Sequence, residues 1–122
     1  MEKSEAKEFD INKRTRKFAV SILKFCHLIR KRSTEYFLQD QLARSGTSIG
    51  ANIREAKGSS SKKEFCRFYE IALRSANESE YWLEVLSDLY EFPEIKEIQE
   101  ELGELRKIIA SIIIRLKRDL NK

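Results

Sequence analysis

The side chains able to do bond-making chemistry are few: one histidine, His27, and two cysteines, Cys26 and Cys66, beside the carboxylates, hydroxyls and cations. A di-iron bundle needs Glu-x-x-His pairs on facing helices, and one histidine flanked by Lys24 and Arg30 cannot supply them. Nucleophilic catalysis needs a base beside a cysteine or serine, and a single imidazole offers little to build with. The helical ribonuclease pattern R-x4–6-H also fails, because Val20, Ser21 and Ile22 hold the positions where the arginine would stand. The segment from Gly46 to Gly50 lacks the Gly-Lys-Ser/Thr ending of a phosphate-binding loop. Cys26 and Cys66 form neither a C-x-x-C pair nor a zinc spacing, so they read as small core residues in a reducing, cytoplasmic setting. The chain is expected to be non-enzymatic, with no metal and no cofactor.

What remains is charge. Between Ile11 and Arg32 stand Lys13, Arg14, Arg16, Lys17, Lys24, Arg30, Lys31 and Arg32, with no carboxylate among them. Residues 1–33 hold ten basic and four acidic side chains, whereas residues 59–91 hold four and seven, within a net charge of +4. On a helical wheel Lys13, Lys17, Lys24 and Lys31 fall within roughly 40° of one another. They lie about 120° from the apolar stripe of the same segment. Such a row can follow a phosphate backbone, so RNA or DNA is an expected ligand. No aromatic residue interleaves with the row, which argues against base stacking and sequence readout. The competing expectation is a solvated basic face, partly neutralised by an acidic neighbour.

The elements that must carry these groups are helices. In 122 residues there are one proline and four glycines, too few turns for a sandwich or barrel. Hydrophobic residues make up 41 % and charged residues 36 %, which suits a folded single domain over 1–122, with 1–10 as a polar N-terminal extension. No apolar run approaches the roughly 20 residues that span a bilayer, so no membrane partner is expected. Caps and breakers divide the chain into expected helices at 11–32, 34–57, 61–91 and 94–120. Ser61 and Glu64 form a capping box, Ser33 can cap the second helix, and Pro93 suits a first turn. The apolar stripes run Ile11, Phe18, Ile22, Phe25, Ile29 in the first helix and Phe65, Phe68, Ala72, Ala76, Leu83, Leu86 in the third. The fourth carries Ile98, Leu102, Leu105, Ile109, Ile112, Leu116 and Leu120. Short links and four stripes predict an all-α, antiparallel up-down-up-down four-helix bundle. A second stripe on the third helix, Ile71, Trp82, Val85 and Leu89, predicts a surface that a partner subunit covers.

The second helix breaks the local rules. Residues 44–52 read Arg-Ser-Gly-Thr-Ser-Ile-Gly-Ala-Asn, where each glycine costs about 1 kcal/mol against alanine. Ser45 and Asn52 share a face with Leu38, Leu42, Ile49 and Ala56, and buried hydroxyls or amides there need partners. Tight packing is the plain explanation.

The run Arg44-Ser45-x-x-Ser48-Ile49-x-x-Asn52-Ile53-x-Glu55, then Lys63-x-Phe65 and Ile71-Ala72-x-x-Ser75-x-x-Glu78, resembles the 23S rRNA-intervening-sequence proteins. The exit Glu55-Ala56-Lys57-Gly58 is slightly longer than that pattern's. The resemblance implies a ring-shaped homo-oligomer, a pentamer, with a basic surface and no assigned enzymatic activity. It singles out Arg44, Ser45, Ser48, Asn52, Glu55, Ser75 and Glu78; Glu78 lies beside Trp82, and Arg44 is expected to pair with Glu55 or Glu78 at a helix or subunit junction. More distantly the pattern is similar to the accessory variability determinant of diversity-generating retroelements, which binds nucleic acid and a reverse transcriptase. This chain is less basic than that subgroup. The expected function is sequence-tolerant nucleic-acid binding by an oligomer; the alternative is a scaffold docking a protein partner such as a reverse transcriptase.

Overall fold

The computed structural model describes residues 2–122, with side chains from Ile11 onward. It contains α1 (Glu2–Ile29), α2 (Tyr36–Ala56), α3 (Lys62–Leu89) and α4 (Glu94–Leu120), and no strand among the described residues. Each helix packs on its neighbours in chain order and α4 closes back on α1, so the expected antiparallel bundle forms. The α2–α3 pair packs most extensively and the α4–α1 pair least.

The apolar stripes place the core. Ile11, Phe18, Ile22, Phe25 and Ile29 are all buried, and so is the α4 row from Ile98 to Leu116. Leu120, expected to extend that row, is the last residue of α4 and is 42 % exposed. The α3 stripe turns by one residue at its start. Cys66 and Tyr69 occupy the core positions expected for Phe65 and Phe68, which are only half-buried. Phe65 stacks on Tyr69 with ring centroids 4.9 Å apart, so the larger ring keeps the interior and the other covers it.

The helix ends follow their caps. Ser61 has extended backbone, and its hydroxyl accepts the Glu64 N–H at 3.1 Å. The return arm of the capping box goes one residue early, where Glu64 accepts from Ser60 Oγ at 3.0 Å. Ser33 does not cap α2. It lies buried in the link, and its hydroxyl accepts the Glu35 N–H at 3.1 Å. α1 accordingly stops at Ile29, leaving Arg30, Lys31 and Arg32 in a turn. At the other end α1 begins at Glu2, so the backbone of residues 2–10 of the expected extension 1–10 belongs to the helix; the side chains of that extension lie outside the described residues.

The unusual composition of α2 answers to close packing on both sides. Facing α3, Ser79 Oγ sits 2.8 Å from Ser45 Oγ and 2.9 Å from the Ser75 carbonyl oxygen. One turn on, the Ser75 hydroxyl donates to Ser48 Oγ at 3.0 Å, and Asn52 Nδ2 donates to the Ser48 carbonyl at 2.8 Å. This ladder meets the hydrogen-bonding needs of groups that would cost about 1–3 kcal/mol each if buried unpaired. Facing α1, a Cβ on Gly46 would lie 2.9 Å from Ile22 Cγ2, and one on Gly50 would lie 3.2 Å from the Thr15 backbone. α2 is thin so that two helices can approach it.

Candidate functional site

The eight cations near α1 separate into three groups. Arg14 is held by α4: its Nη2 donates to Glu101 Oε1 and to Glu104 Oε2, each at 2.7 Å. Hydrogen bonding to Glu101, then to Glu104, pushes the guanidinium pKa further up. Arg30 lies in the turn, 3.5 Å from Asp40 and over the Tyr36 ring, while Arg32 pairs with Glu94 at 3.4 Å and covers Phe92. Lys13, Arg16, Lys17, Lys24 and Lys31 are exposed and form no ion pair among the described residues. Lys31, placed in line with the other lysines on a continuous helix, lies beyond the end of that helix.

Tertiary packing adds two cations from another helix. Lys13 and Arg16, one turn apart on α1, border a notch of about 130 Å³ whose other walls include Arg54 and Lys57 at the end of α2. The notch has no carboxylate in its lining among the described residues. The charge row alone did not single out Arg54 or Lys57. Their only sequence signal was a pair of cations at a helix C-terminus, where the helix dipole already favours them.

Lys17 and Lys24 stand on the lip of a groove of about 650 Å³ between α1 and α4. Phe18, Phe25 and Ile98 form its floor, and Glu97, Glu101 and Glu104 its opposite wall. Outward from it, Val20, Leu23 and Leu28 are each close to half exposed, so the middle of α1 presents an apolar strip between its cations. The opposite, α2–α3 side carries a second exposed cluster. Phe37 is 66 % and Tyr81 58 % exposed, and both rings meet Trp82 edge-on at 6.2 and 5.0 Å.

Trp82 Nε1 donates to Glu78 at 3.0 Å, which ties the second α3 stripe to a residue of the family pattern. Ile71, Trp82 and Val85 are half-buried and Leu89 is exposed, so the second α3 stripe is partly covered by its own bundle. Arg44 and Glu55 are exposed, and no ion pair joins Arg44 to Glu55 or Glu78 within the chain among the described residues. Ser45, Ser48, Asn52 and Ser75 are the rungs of the α2–α3 ladder, so that part of the pattern is packing.

His27 is exposed on the apolar strip, and no group of three or more metal-ligating side chains gathers among the described residues. Both cysteines are buried and free. Burial pushes the Cys26 thiol up to about 11, and burial likewise raises Cys66. At pH 8 native Cys26 therefore carries about 100-fold less thiolate than an unfolded cysteine. Iodoacetamide labelling at that pH should be slower in buffer than in urea by at least that factor, and comparable rates would refute the burial. The sign is fixed: a neutral thiol preferred by the fold favours folding below about pH 9, and that advantage fades as pH rises towards 11.

No helix among the described residues is long and apolar enough to cross a membrane. A family model described as 23S rRNA-intervening sequence protein matches residues 7–111. Among solved structures, a protein of unknown function from the S23 ribosomal protein family of Bacteroides thetaiotaomicron is 37 % identical, with a TM-score of 0.82. The alignment covers 88 % of this chain and 97 % of that one. The search of curated proteins yields no match.

Proposed function

Because the chain belongs to the 23S rRNA-intervening sequence protein family, we propose that it is a non-enzymatic, self-assembling module that binds RNA or DNA through a sequence-tolerant basic surface. The observation that carries this reading is the set of exposed cations Lys13, Arg16, Lys17, Lys24 and Lys31, in a stretch without carboxylates. Cations spaced along a helix meet phosphates, which carry no sequence information, and the released counterions make such binding salt-dependent. The exposed aromatic cluster lies on the α2–α3 side, away from α1, so base stacking on that row is not part of the proposal.

Self-assembly is supported by two unlike exposed apolar surfaces, Val20-Leu23-Leu28 on α1 and Phe37-Tyr81-Trp82 across α2 and α3. A closed ring uses two different faces of each subunit, unlike a two-fold dimer. The proposed assembly is a cytoplasmic homo-oligomeric ring, a pentamer, in which Arg44 meets a carboxylate of the next subunit. Repetition would multiply a weak basic patch. Exposed aromatic rings also favour the second reading, a scaffold that docks a protein partner such as a reverse transcriptase.

The test is a salt titration of single-stranded RNA binding. Affinity should fall steeply with salt, and Lys17→Glu with Lys24→Glu should weaken it by about 10-fold or more at low salt and flatten the log–log slope. Absence of binding at about 50 mM salt removes the nucleic-acid reading and leaves the scaffold.

A further inference from the structure

We propose that the notch between α1 and the end of α2 is a site for a single phosphate group, held by Lys13, Arg16, Arg54 and Lys57. The four cations come from two antiparallel helices and are brought together only by the fold. Arg54 lies in the last turn of α2 and Lys57 is its C-cap residue. The dipole at that helix end accounts for those two cations and not for the other two, since α1 begins eleven residues before Lys13. Lys13 and Arg16 are three residues apart, so both face the same neighbour.

Charge selects the ligand: the notch, of about 130 Å³, has room for a tetrahedral oxyanion among its four cations. Two guanidinium groups supply planar, bidentate donors suited to phosphate oxygens, and two ammonium groups supply point charge. Together they far exceed the charge of one phosphodiester and suit a phosphate monoester or a backbone phosphate alike. With no carboxylate in the lining among the described residues, a bound anion relieves the repulsion among the four.

This site deepens the nucleic-acid reading and can stand without it, because the phosphate can belong to a polynucleotide backbone or to a small phosphorylated molecule. Two probes separate these sources: inorganic phosphate followed by amide chemical shifts, and a single-stranded RNA oligonucleotide followed by affinity against salt. The variants are Arg16→Gln with Arg54→Gln, and Arg16→Lys with Arg54→Lys as the charge-preserving pair. Exposed glutamines of similar length leave the fold intact, which the unfolding midpoint checks.

In the native chain, phosphate should cause saturable shifts at Arg16 and over 54–58 that chloride at equal ionic strength does not. The glutamine pair should abolish them and the lysine pair should keep them in part. If the notch receives backbone phosphate, the glutamine pair also weakens RNA binding about 10-fold and lowers the salt slope by about 0.7. Lost phosphate shifts with unchanged RNA binding support the site and assign it to a small phosphorylated ligand. An RNA response alone supports it as a backbone contact. Phosphate shifts that persist in the glutamine pair, or silence in both probes, overturn it. Lys17→Glu with Lys24→Glu tests the wider basic face and leaves the phosphate shifts unchanged, so the two proposals fail separately.

Discussion

Gly50→Leu lowers the free energy of unfolding by about 1–2 kcal/mol, and Gly103→Ala raises it by about 1 kcal/mol, in urea titrations followed by circular dichroism. Both replace a glycine inside a helix, so backbone propensity favours both, by about 1 kcal/mol for alanine. The neighbours decide the difference. A Cβ at Gly103 meets nothing within 4 Å, whereas one at Gly50 lies 3.2 Å from the Thr15 carbonyl carbon, carbonyl oxygen and Oγ1. Main-chain atoms cannot swing aside as a side chain can, so a branched side chain there must part α1 from α2. Overpacking of this kind costs about 1–3 kcal/mol and sometimes more, which exceeds the propensity gain. A Gly50→Leu protein as stable as the parent would show that α1 and α2 do not approach closely at Thr15.

That contrast also marks what the sequence could disclose. Local signals were legible: the hydroxyl of Ser61 capping α3, the stripes of α1 and α4, and the small polar residues of α2 as a packing feature. The partners were not, because Gly50 meets Thr15 and Ser45 meets Ser79 across more than thirty residues of chain. The starting phase of α3 was misread because Phe65 and Phe68 are larger than Cys66, and an aromatic ring can cover a core from its flank. The same limit applies to the site. A row of cations on α1 was visible, but Arg14 reaches carboxylates 87 and 90 residues away, and Lys13 gains Arg54 and Lys57 only through the fold. Charge can be counted in one dimension; its pairing belongs to three.

Phe18→Ala should lower stability by about 3–5 kcal/mol, the usual range for deleting a buried ring. Phe18 is 2 % exposed and forms part of the floor of the α1–α4 groove. The loss combines the transfer of the ring out of water with the cavity left behind, and the second part depends on how far the surroundings collapse. Here the groove is open beside the ring and α1–α4 is the least packed pair, so collapse or water entry is easy and the cost falls near 3 kcal/mol. For a domain whose whole stability is about 5–15 kcal/mol, that is a large fraction. Chemical denaturation of the variant measures it, and a loss below about 1 kcal/mol would mean that water already reaches the ring through the groove.

The Arg14 fork to Glu101 and Glu104, with Arg32 on Glu94, ties α1 and its following turn to α4 by charge where packing is thinnest. These pairs are partly exposed, so dissolved ions weaken them, with a screening length of about 10 Å at 0.1 M. Under the proposed function, dissolved ions act on this protein in two places. The salt that would release a bound polyanion from the lysines would also weaken the charged seam between the first helix and the last, so one titration would read both.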